Sequence, residues 1–181
     1  MKSPMPLPAP QLATSRLRMV PVTLTDLDDL HRLFTDPDVR RYLWDDQIIP
    51  RERAAVEIDA SIASFEARGF GMWVLREAGE TEIVGFCGLR PFGEPEEIEI
   101  LYGLSPHVWH RGFAAEASRE VLRYGFEALG LERIFGRTDP PNVASRRVLE
   151  RLGMTFIRSH RLGELDVVEY VIPRAAFRRA G

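Results

Sequence analysis

The most constraining feature of this 181-residue chain is a short turn between a strand-like segment and a long helical segment. The strand-like run spans Glu97 to Leu104, the turn reads Trp109-His110-Arg111-Gly112-Phe113-Ala114, and the helical pattern spans Phe113 to Leu129. Small residues at alternate positions let the backbone N–H groups of such a turn converge on one point, and the first turn of a helix adds free amides. The segment therefore predicts a site for phosphate oxygens, with Arg111 as an additional positive charge.

This turn differs from the common glycine-rich nucleotide-binding loops. No Lys-Ser/Thr pair follows Gly112, which excludes a P-loop for nucleoside triphosphates, and the three glycines of the dinucleotide fingerprint are absent. On these six residues alone, an exposed loop with one glycine is an equal alternative. A second segment favours a binding site, because Asn142-Val143-Ala144-Ser145 is followed by a run that ends in Leu152-Gly153-Met154.

Taken together, these segments resemble the GNAT acetyltransferases. The family carries small residues in a turn that starts a helix, as at Gly112 and Ala114, and an Asn-led helix ending in Leu-Gly-Phe/Met, as from Asn142 to Met154. Trp109 replaces the usual Gln or Arg, a departure typical of the branch that acetylates N-terminal amines of ribosomal proteins. The resemblance covers residues 13–172 and includes three further segments: Thr14 to Met19, Asp36 to Val39, and Glu99 to Tyr102.

The order of predicted elements is a strand, two helices, three strands, a helix, a strand, a helix and two strands. This order indicates a mixed α/β (α+β) layer architecture with four main helices. The resemblance implies a mostly antiparallel twisted sheet of six to seven strands, splayed open between the fourth strand, 97–104, and the fifth, 133–138. Residues 1–12 are predicted to form a disordered proline-rich tail, and residues 13–181 a single N-acetyltransferase domain.

Composition and charge exclude several functional classes. The net charge of −3 disfavours a general nucleic-acid partner, and no apolar run approaches the roughly 20 residues of a membrane span. The single cysteine, Cys87, excludes an internal disulfide and is typical of a cytoplasmic protein. Its apolar strand favours buried packing over the alternative of a ping-pong nucleophile. The four histidines show no metal-ligand spacing, so no metal is predicted.

The resemblance implies acetyl-CoA as cosubstrate. In the family the pantetheine arm fills the gap between the splayed strands, and by position it would pair with the backbones of Tyr102 and Leu104. An N–H of Leu101 or Tyr102 would face the thioester oxygen and stabilise an oxyanion. The diphosphate would be bound by the turn and the helix start, which comprise His110, Arg111, Gly112, Phe113, Ala114 and Ala115.

Two side chains, Glu99 and Ser145, are candidates for the chemistry. An attacking amine must lose a proton, and Glu99 stands where this branch usually has a glutamate, so it is the candidate base, directly or through water. Alternatively, Glu99 belongs to a solvated acidic run, Glu94 to Glu99. Many family members have a tyrosine that protonates the leaving thiolate, and Leu149 stands at that position here. The resemblance implies that Ser145, one helical turn earlier, hydrogen-bonds the thiolate instead. Alternatively, Ser145 is only a helix-surface residue. Asn142 is expected to cap this helix and can also bond the pantetheine arm.

The sequence thus predicts an acetyl-CoA-dependent N-acetyltransferase that works by direct transfer in a ternary complex. The predicted acceptor is a primary amine, first a protein N-terminus, with a small-molecule amine or antibiotic as the alternative. Glu97 and Glu99 share one sheet face and could attract a cationic amine. The aromatic residues Tyr42, Trp44 and Trp73 could wall its pocket, although packing in the core is the default expectation for each. A catalytically silent acyl-CoA-binding module, a different acyl donor, and a monomer or a homodimer are all compatible with the sequence.

Overall fold

One mixed sheet organises the part of the chain that the computed structural model describes, residues 9–93 and 96–177. Its strands lie side by side in the order β1-β2-β3-β4-β5-β6-β8-β7. In chain order they are β1 (Leu12–Ala13), β2 (Leu17–Pro21), β3 (Met72–Glu77), β4 (Gly85–Phe92), β5 (Glu97–Leu104), β6 (Arg133–Thr138), β7 (Thr155–Leu162) and β8 (Leu165–Pro173). The helices are α1 (Leu27–Thr35), α2 (Pro37–Leu43), α3 (Arg51–Arg68), α4 (Phe113–Glu127) and α5 (Val143–Arg151).

The sheet opens between β5 and β6, which are the predicted fourth and fifth strands. Every other pair of neighbouring strands is antiparallel, whereas β5 and β6 are parallel and pair only at Glu99 with Phe135 and Ile100 with Gly136. The rest of β5, residues 101–104, extends beyond this pairing. The mostly antiparallel, open α/β sheet confirms the predicted fold class.

Two elements exceed the predicted count. One is the helix α2, which adds to the four main helices predicted. Pro37 occupies its first turn, and the Asp36 carboxylate accepts hydrogen bonds from the N–H groups of Asp38 and Val39. The two-residue strand β1 brings the sheet to eight strands by pairing with β2. Such a short strand has no periodicity of its own, so only its partner reveals it.

The predicted tail extends to residue 12, and residues 1–8 of it lie outside the described residues. The remainder is packed against the domain. The indole Nε1 of Trp73 donates to the carbonyl of Pro10 at 2.7 Å, and Leu12 is buried within β1. The packed chain therefore begins before residue 13, where the sequence prediction places the start of the domain.

The two faces of the sheet carry separate apolar cores. One core includes side chains from α4 and α5, such as Leu122 and Leu149, packed on Ile100 of β5. The other includes side chains from α1, α2 and α3, such as Leu30 and Ile58. Because side chains alternate along a strand, Tyr102 packs against the first core and Leu101 against the second. Within the described residues, no helix has the length and apolar character needed to cross a bilayer.

Candidate active site

The open edge of β5 is the centre of the candidate site. Pairing with β6 stops at Ile100, so the backbone groups of the following residues on this edge need other partners. One of them is found in the structure, because the indole Nε1 of Trp109 donates to the carbonyl of Leu104 at 2.8 Å. Leu101 and Tyr102 are half-buried along the same stretch. Trp109, which the sequence marked only as a departure from the family motif, therefore ties the turn back to β5.

The turn before α4 has the backbone geometry of an anion site. His110 and Gly112 both adopt positive φ, 63° and 82°, which reorients successive N–H groups. Gly112 is the N-cap of α4 and offers no side chain, so the first N–H groups of the helix have no side-chain acceptor. Phe113 is buried and can contribute only its N–H, while Ala114 and Ala115 are half-buried.

Space beside Gly112 is open as well. A Cβ built on this glycine would meet only the Nη2 of Arg16, at 3.7 Å. The Arg16 guanidinium donates to the carbonyl of Arg111 at 3.0 Å and, through Nε, to Glu116 at 2.7 Å. The loop is thus held from one side by Arg16, the residue before β2, while the glycine stays uncovered. A larger side chain at this position would fill this open space.

The guanidinium of Arg111 has a partner within the protein. It donates to both carboxylate oxygens of Glu77, at 2.7 and 2.6 Å, and its Cζ lies 4.5 Å from the centroid of the Phe113 ring. The hydrogen bond from Arg111 lowers the pKa of the Glu77 carboxyl, so this pair is ionised at neutral pH. The sequence interpretation treats Arg111 as a free charge for phosphate, whereas in this structure Glu77 balances it and the backbone amides carry the anion geometry.

The N-terminal turn of α5 lies against the α4/α5 face of β5. Asn142 caps this helix, since its Oδ1 accepts the N–H of Ser145 at 3.1 Å. The Ser145 Oγ lies 2.9 Å from the Tyr102 hydroxyl, which also lies 3.2 Å from the Ser145 carbonyl. Leu149 is buried, and its Cδ2 would lie 2.6 Å from a Cβ at Gly136, so this position supplies packing and no proton donor.

Glu99 lies on the opposite face of β5 and is only 2% exposed. Its Oε1 accepts from Arg90 Nε at 2.6 Å, and its Oε2 accepts from Arg137 Nη1 at 3.0 Å. It is therefore not a solvated surface carboxylate, and the alternative of a solvated acidic run is wrong for this residue. Glu94, at the start of that run, lies outside the described residues.

Glu99 belongs to an ion-pair network that crosses five strands. Arg137 also pairs with Glu97 and, at 2.7 Å, with Glu169, which in turn accepts from Arg158 at 3.2 Å. We name this set the Glu99 network; its members are Arg90, Glu97, Glu99, Arg137, Arg158 and Glu169. Its three carboxylates are balanced by three guanidiniums, so Glu97 and Glu99 share one face as predicted but do not form an unbalanced negative patch.

Sequence reasoning missed the arginines of this network. Arg90 lies directly opposite Glu99 in the β4–β5 register, and Arg137 lies opposite Glu169 in the β6–β8 register. Their positions along the chain carry no signal of these pairings. Alternation within a predicted strand assigns each arginine to one face of its own strand. Which carboxylates lie next to it depends on the order and register of the strands.

A pair of carboxylates, Asp45 and Asp139, lies at the open end of the gap. Burial and the nearby Asp45 raise the pKa of the Asp139 carboxyl, which follows the last residue of β6. Asp45 belongs to the α2–α3 loop and adopts a positive φ of 53°. In the described ranges neither carboxylate forms a salt bridge, so this pair is not balanced as the Glu99 network is.

The α2–α3 loop also borders a surface cavity of about 530 Å³. The residues that line it are Leu43, Trp44, Asp45, Gln47, Ile48, Ile49, Pro50 and Arg53. Trp44 thus lies at a pocket, as the sequence suggested, and packs against the same core as Leu101. Tyr42 is exposed and does not line the cavity, whereas Trp73 is fully buried in the core on the other face. Trp73 therefore does not wall an acceptor pocket, and core packing, the expected default, is confirmed for this residue.

Known proteins share both the sequence pattern and this fold. Residues 16–155 match the family model described as an acetyltransferase (GNAT) domain. The FsC-acetyl coenzyme A-N(2)-transacetylase of Aspergillus fumigatus is 31% identical over 160 residues, which cover 83% of this chain and 67% of that protein. The uncharacterized N-acetyltransferase YoaA of Bacillus subtilis is 30% identical over 145 residues, which cover 80% and 82% of the two chains.

Solved structures agree with the sequence matches. An acetyltransferase from Agrobacterium tumefaciens has a TM-score of 0.80 at 23% identity, covering 95% of this chain and 99% of that chain. A structure described as RimL, a ribosomal L7/L12 alpha-N-protein acetyltransferase in complex with coenzyme A, has a TM-score of 0.76 at 16% identity, covering 91% and 98%. At these identities the structures show the shared fold. With the family match over most of the domain, they lead to one conclusion: the chain belongs to the GNAT acetyltransferase family.

Proposed function

We propose that this acetyltransferase uses acetyl-CoA as donor and transfers the acetyl group directly to the primary amine of a protein N-terminus. The observation that carries the proposal is the open edge of β5, which has Glu99 on one face and Ser145 beside the other. Direct transfer needs an amine on one side of the acyl carbon and a leaving sulfur on the other. A gap between two strands gives access from both faces of the sheet at once.

The residues present fit the donor. We propose that the backbones of Tyr102 and Leu104 pair with the pantetheine arm, because this part of β5 lies beyond its pairing with β6. The N–H groups of the turn and of the first turn of α4, from His110 to Ala115, would hold the diphosphate. Asn142 would contact the arm with its amide N–H while its Oδ1 caps α5. When bound, acetyl-CoA supplies an activated thioester.

The two candidate side chains then have separate tasks. Glu99 is held by Arg90 and Arg137, so we propose that it acts on the amine proton through a water molecule rather than by direct contact. The N–H of Tyr102 would stabilise charge that develops on the carbonyl oxygen, since the backbone of Leu101 pairs with Gly88 of β4. Ser145 would donate its hydroxyl proton in a hydrogen bond to the leaving sulfur. A serine hydroxyl is a weak acid, so this role is stabilisation rather than proton delivery.

A cationic acceptor fits the charges near the gap. The Glu99 network is neutral as a whole, but Asp45 and Asp139 add unbalanced negative charge where the gap opens. An ammonium group would be attracted there before it loses its proton. The proposal of a protein N-terminus is supported by the fold shared with a RimL structure and with a ribosomal-protein-serine acetyltransferase structure from Vibrio cholerae.

A small-molecule amine is the second candidate acceptor. The cavity of about 530 Å³ beside Trp44 and Ile49 falls in the size range of ligand pockets, which is about 300–1,000 Å³. The relative of 31% identity is named an N(2)-transacetylase, a name that mentions no protein acceptor. A peptide and a small amine differ in size, so an assay with both kinds of acceptor distinguishes the two proposals.

The test is thiol release from acetyl-CoA with a panel of acceptors. One group of acceptors consists of peptides with free N-termini, each matched to the same peptide with a blocked N-terminus; the other consists of small primary amines. Turnover that requires the free peptide N-terminus supports our proposal, and turnover confined to small amines contradicts it. Binding of CoA without turnover of any acceptor would instead indicate a catalytically silent acyl-CoA-binding module. Parallel assays with longer acyl-CoA thioesters test the choice of acetyl donor.

A further inference from the structure

The hydroxyl of Tyr102 is a polar group that the proposed function does not use. Its oxygen lies 2.9 Å from Ser145 Oγ and 3.2 Å from the Ser145 carbonyl, so it joins β5 to the first turn of α5. Elsewhere in the described chain Ser145 Oγ has no hydrogen-bond partner. The two hydroxyl groups are therefore coupled to each other beside the gap.

The number of protons on the Tyr102 and Ser145 hydroxyls limits which hydrogen bonds this pair can form. Each hydroxyl has one proton to donate and two lone pairs to accept with. If Tyr102 donates to the Ser145 carbonyl, the serine proton turns to the tyrosine oxygen and is used up. If Tyr102 donates to Ser145 Oγ, which is the shorter contact, the serine proton stays available for a third group.

We propose that Tyr102 is a positioning residue that donates to Ser145 Oγ and thereby directs the serine proton toward the leaving sulfur of coenzyme A. The inference rests on the proposed function, which gives Ser145 its place at the sulfur. A serine that already accepts a hydrogen bond is a better donor, because hydrogen bonds in a chain polarise one another. No proton is transferred in this role.

Two features of the structure keep the arrangement intact. Burial raises the pKa of the Tyr102 hydroxyl far above its usual value, so this group keeps its proton at any pH at which the enzyme would work. The tyrosine backbone lies opposite Cys87 in the β4–β5 register, which fixes where the ring leaves the sheet. The tyrosine is therefore a permanent donor at a fixed position.

The test measures the thiol pKa of bound CoA from the ultraviolet absorbance of its thiolate, against ligand-free protein. The variants are Tyr102→Phe, Ser145→Ala and the double variant. Tyr124→Phe is the matched control, because the Tyr124 hydroxyl also donates to a backbone carbonyl, that of Gly69 at 2.7 Å, but has no link to Ser145. This readout needs no acceptor and no turnover.

Tyr102→Phe should raise the thiol pKa by about one unit, a tenfold weaker stabilisation of the thiolate, and Ser145→Ala should raise it at least as much. The double variant should match Ser145→Ala, because the tyrosine acts only through the serine. Tyr124→Phe should leave the thiol pKa unchanged. With an active acceptor, Tyr102→Phe should lower kcat about tenfold with little change in the KM for acetyl-CoA.

An unchanged thiol pKa in Tyr102→Phe, or additive effects in the double variant, would overturn the inference while leaving the proposed function standing. The predicted pKa pattern in a protein that acetylates no acceptor would support the inference and contradict the proposed function. If wild-type protein fails to bind CoA, both are wrong.

Discussion

Replacing Arg137 by leucine should lower the free energy of unfolding by about 3–5 kcal/mol, the cost of removing one partner from a buried ion pair. The Arg137 side chain is 8% exposed, and the side chains of its partners Glu99 and Glu169 are each 3% exposed. Leucine would fill part of the volume but would leave these carboxylates short of a cation. Glu99 would keep Arg90 and Glu169 would keep Arg158, so the lower half of the range is the better expectation.

Urea unfolding is the suitable assay, with the midpoint compared at constant slope. For a domain of this size, each kcal/mol corresponds to about 2–4 °C in Tm, so a shift of about 6–16 °C is expected. Arg158→Leu is the matched control. Arg158 pairs with the same Glu169 but its side chain is 59% exposed, so its loss should cost about 0–1 kcal/mol.

Equal losses for the two variants would refute the reasoning, because burial would then not set the cost. A further variant tests the cause. Glu99→Gln added to Arg137→Leu should recover part of the lost stability, since a neutral amide is cheaper to leave without a cation than a carboxylate is. No recovery would show that Arg137 acts through packing, for example over the Phe92 ring, whose centroid lies 4.2 Å from its Cζ.

Three further results are expected. Gly112→Trp should weaken CoA binding, measured by calorimetry, at least about tenfold. Gly79 has a similar φ and open surroundings, so Gly79→Trp is the control and should leave the affinity unchanged. Equal affinities of the two variants would contradict the diphosphate assignment. Asn142→Ala should cost about 1 kcal/mol of stability and Asn142→Asp almost none, and unchanged CoA affinity in both would limit Asn142 to capping. Burial raises the pKa of the Cys87 thiol from 9.0 to about 12. The folded protein should therefore resist iodoacetamide, and its free energy of unfolding should fall as pH rises above 9.0, where only the unfolded thiol ionises. Rapid labelling of the folded protein would contradict this.

Local pattern was sufficient for most of the elements. The helical spacing before Asp36, the proline that begins α3 and the asparagine that begins α5 all act through neighbours a few residues away, so they can be read along the chain. The small residues around Gly112 likewise indicated a special backbone, and the positive φ of that glycine agrees. Elements whose stability comes from a partner, such as β1, were missed.

The features of the candidate site also fall into those that local sequence predicts and those that depend on distant contacts. By itself, the sequence determined the family, because the motif residues lie close together in the chain, and the resemblance to that family then implied the open α/β sheet. The same motif singled out the turn before α4. Tertiary structure alone decided that Glu99 is surrounded by Arg90 and Arg137, that Glu77 holds Arg111, and that Tyr102 reaches Ser145. Those contacts join strands and helices that are distant in sequence, and the register and order of the strands, which no local pattern encodes, set which side chains meet.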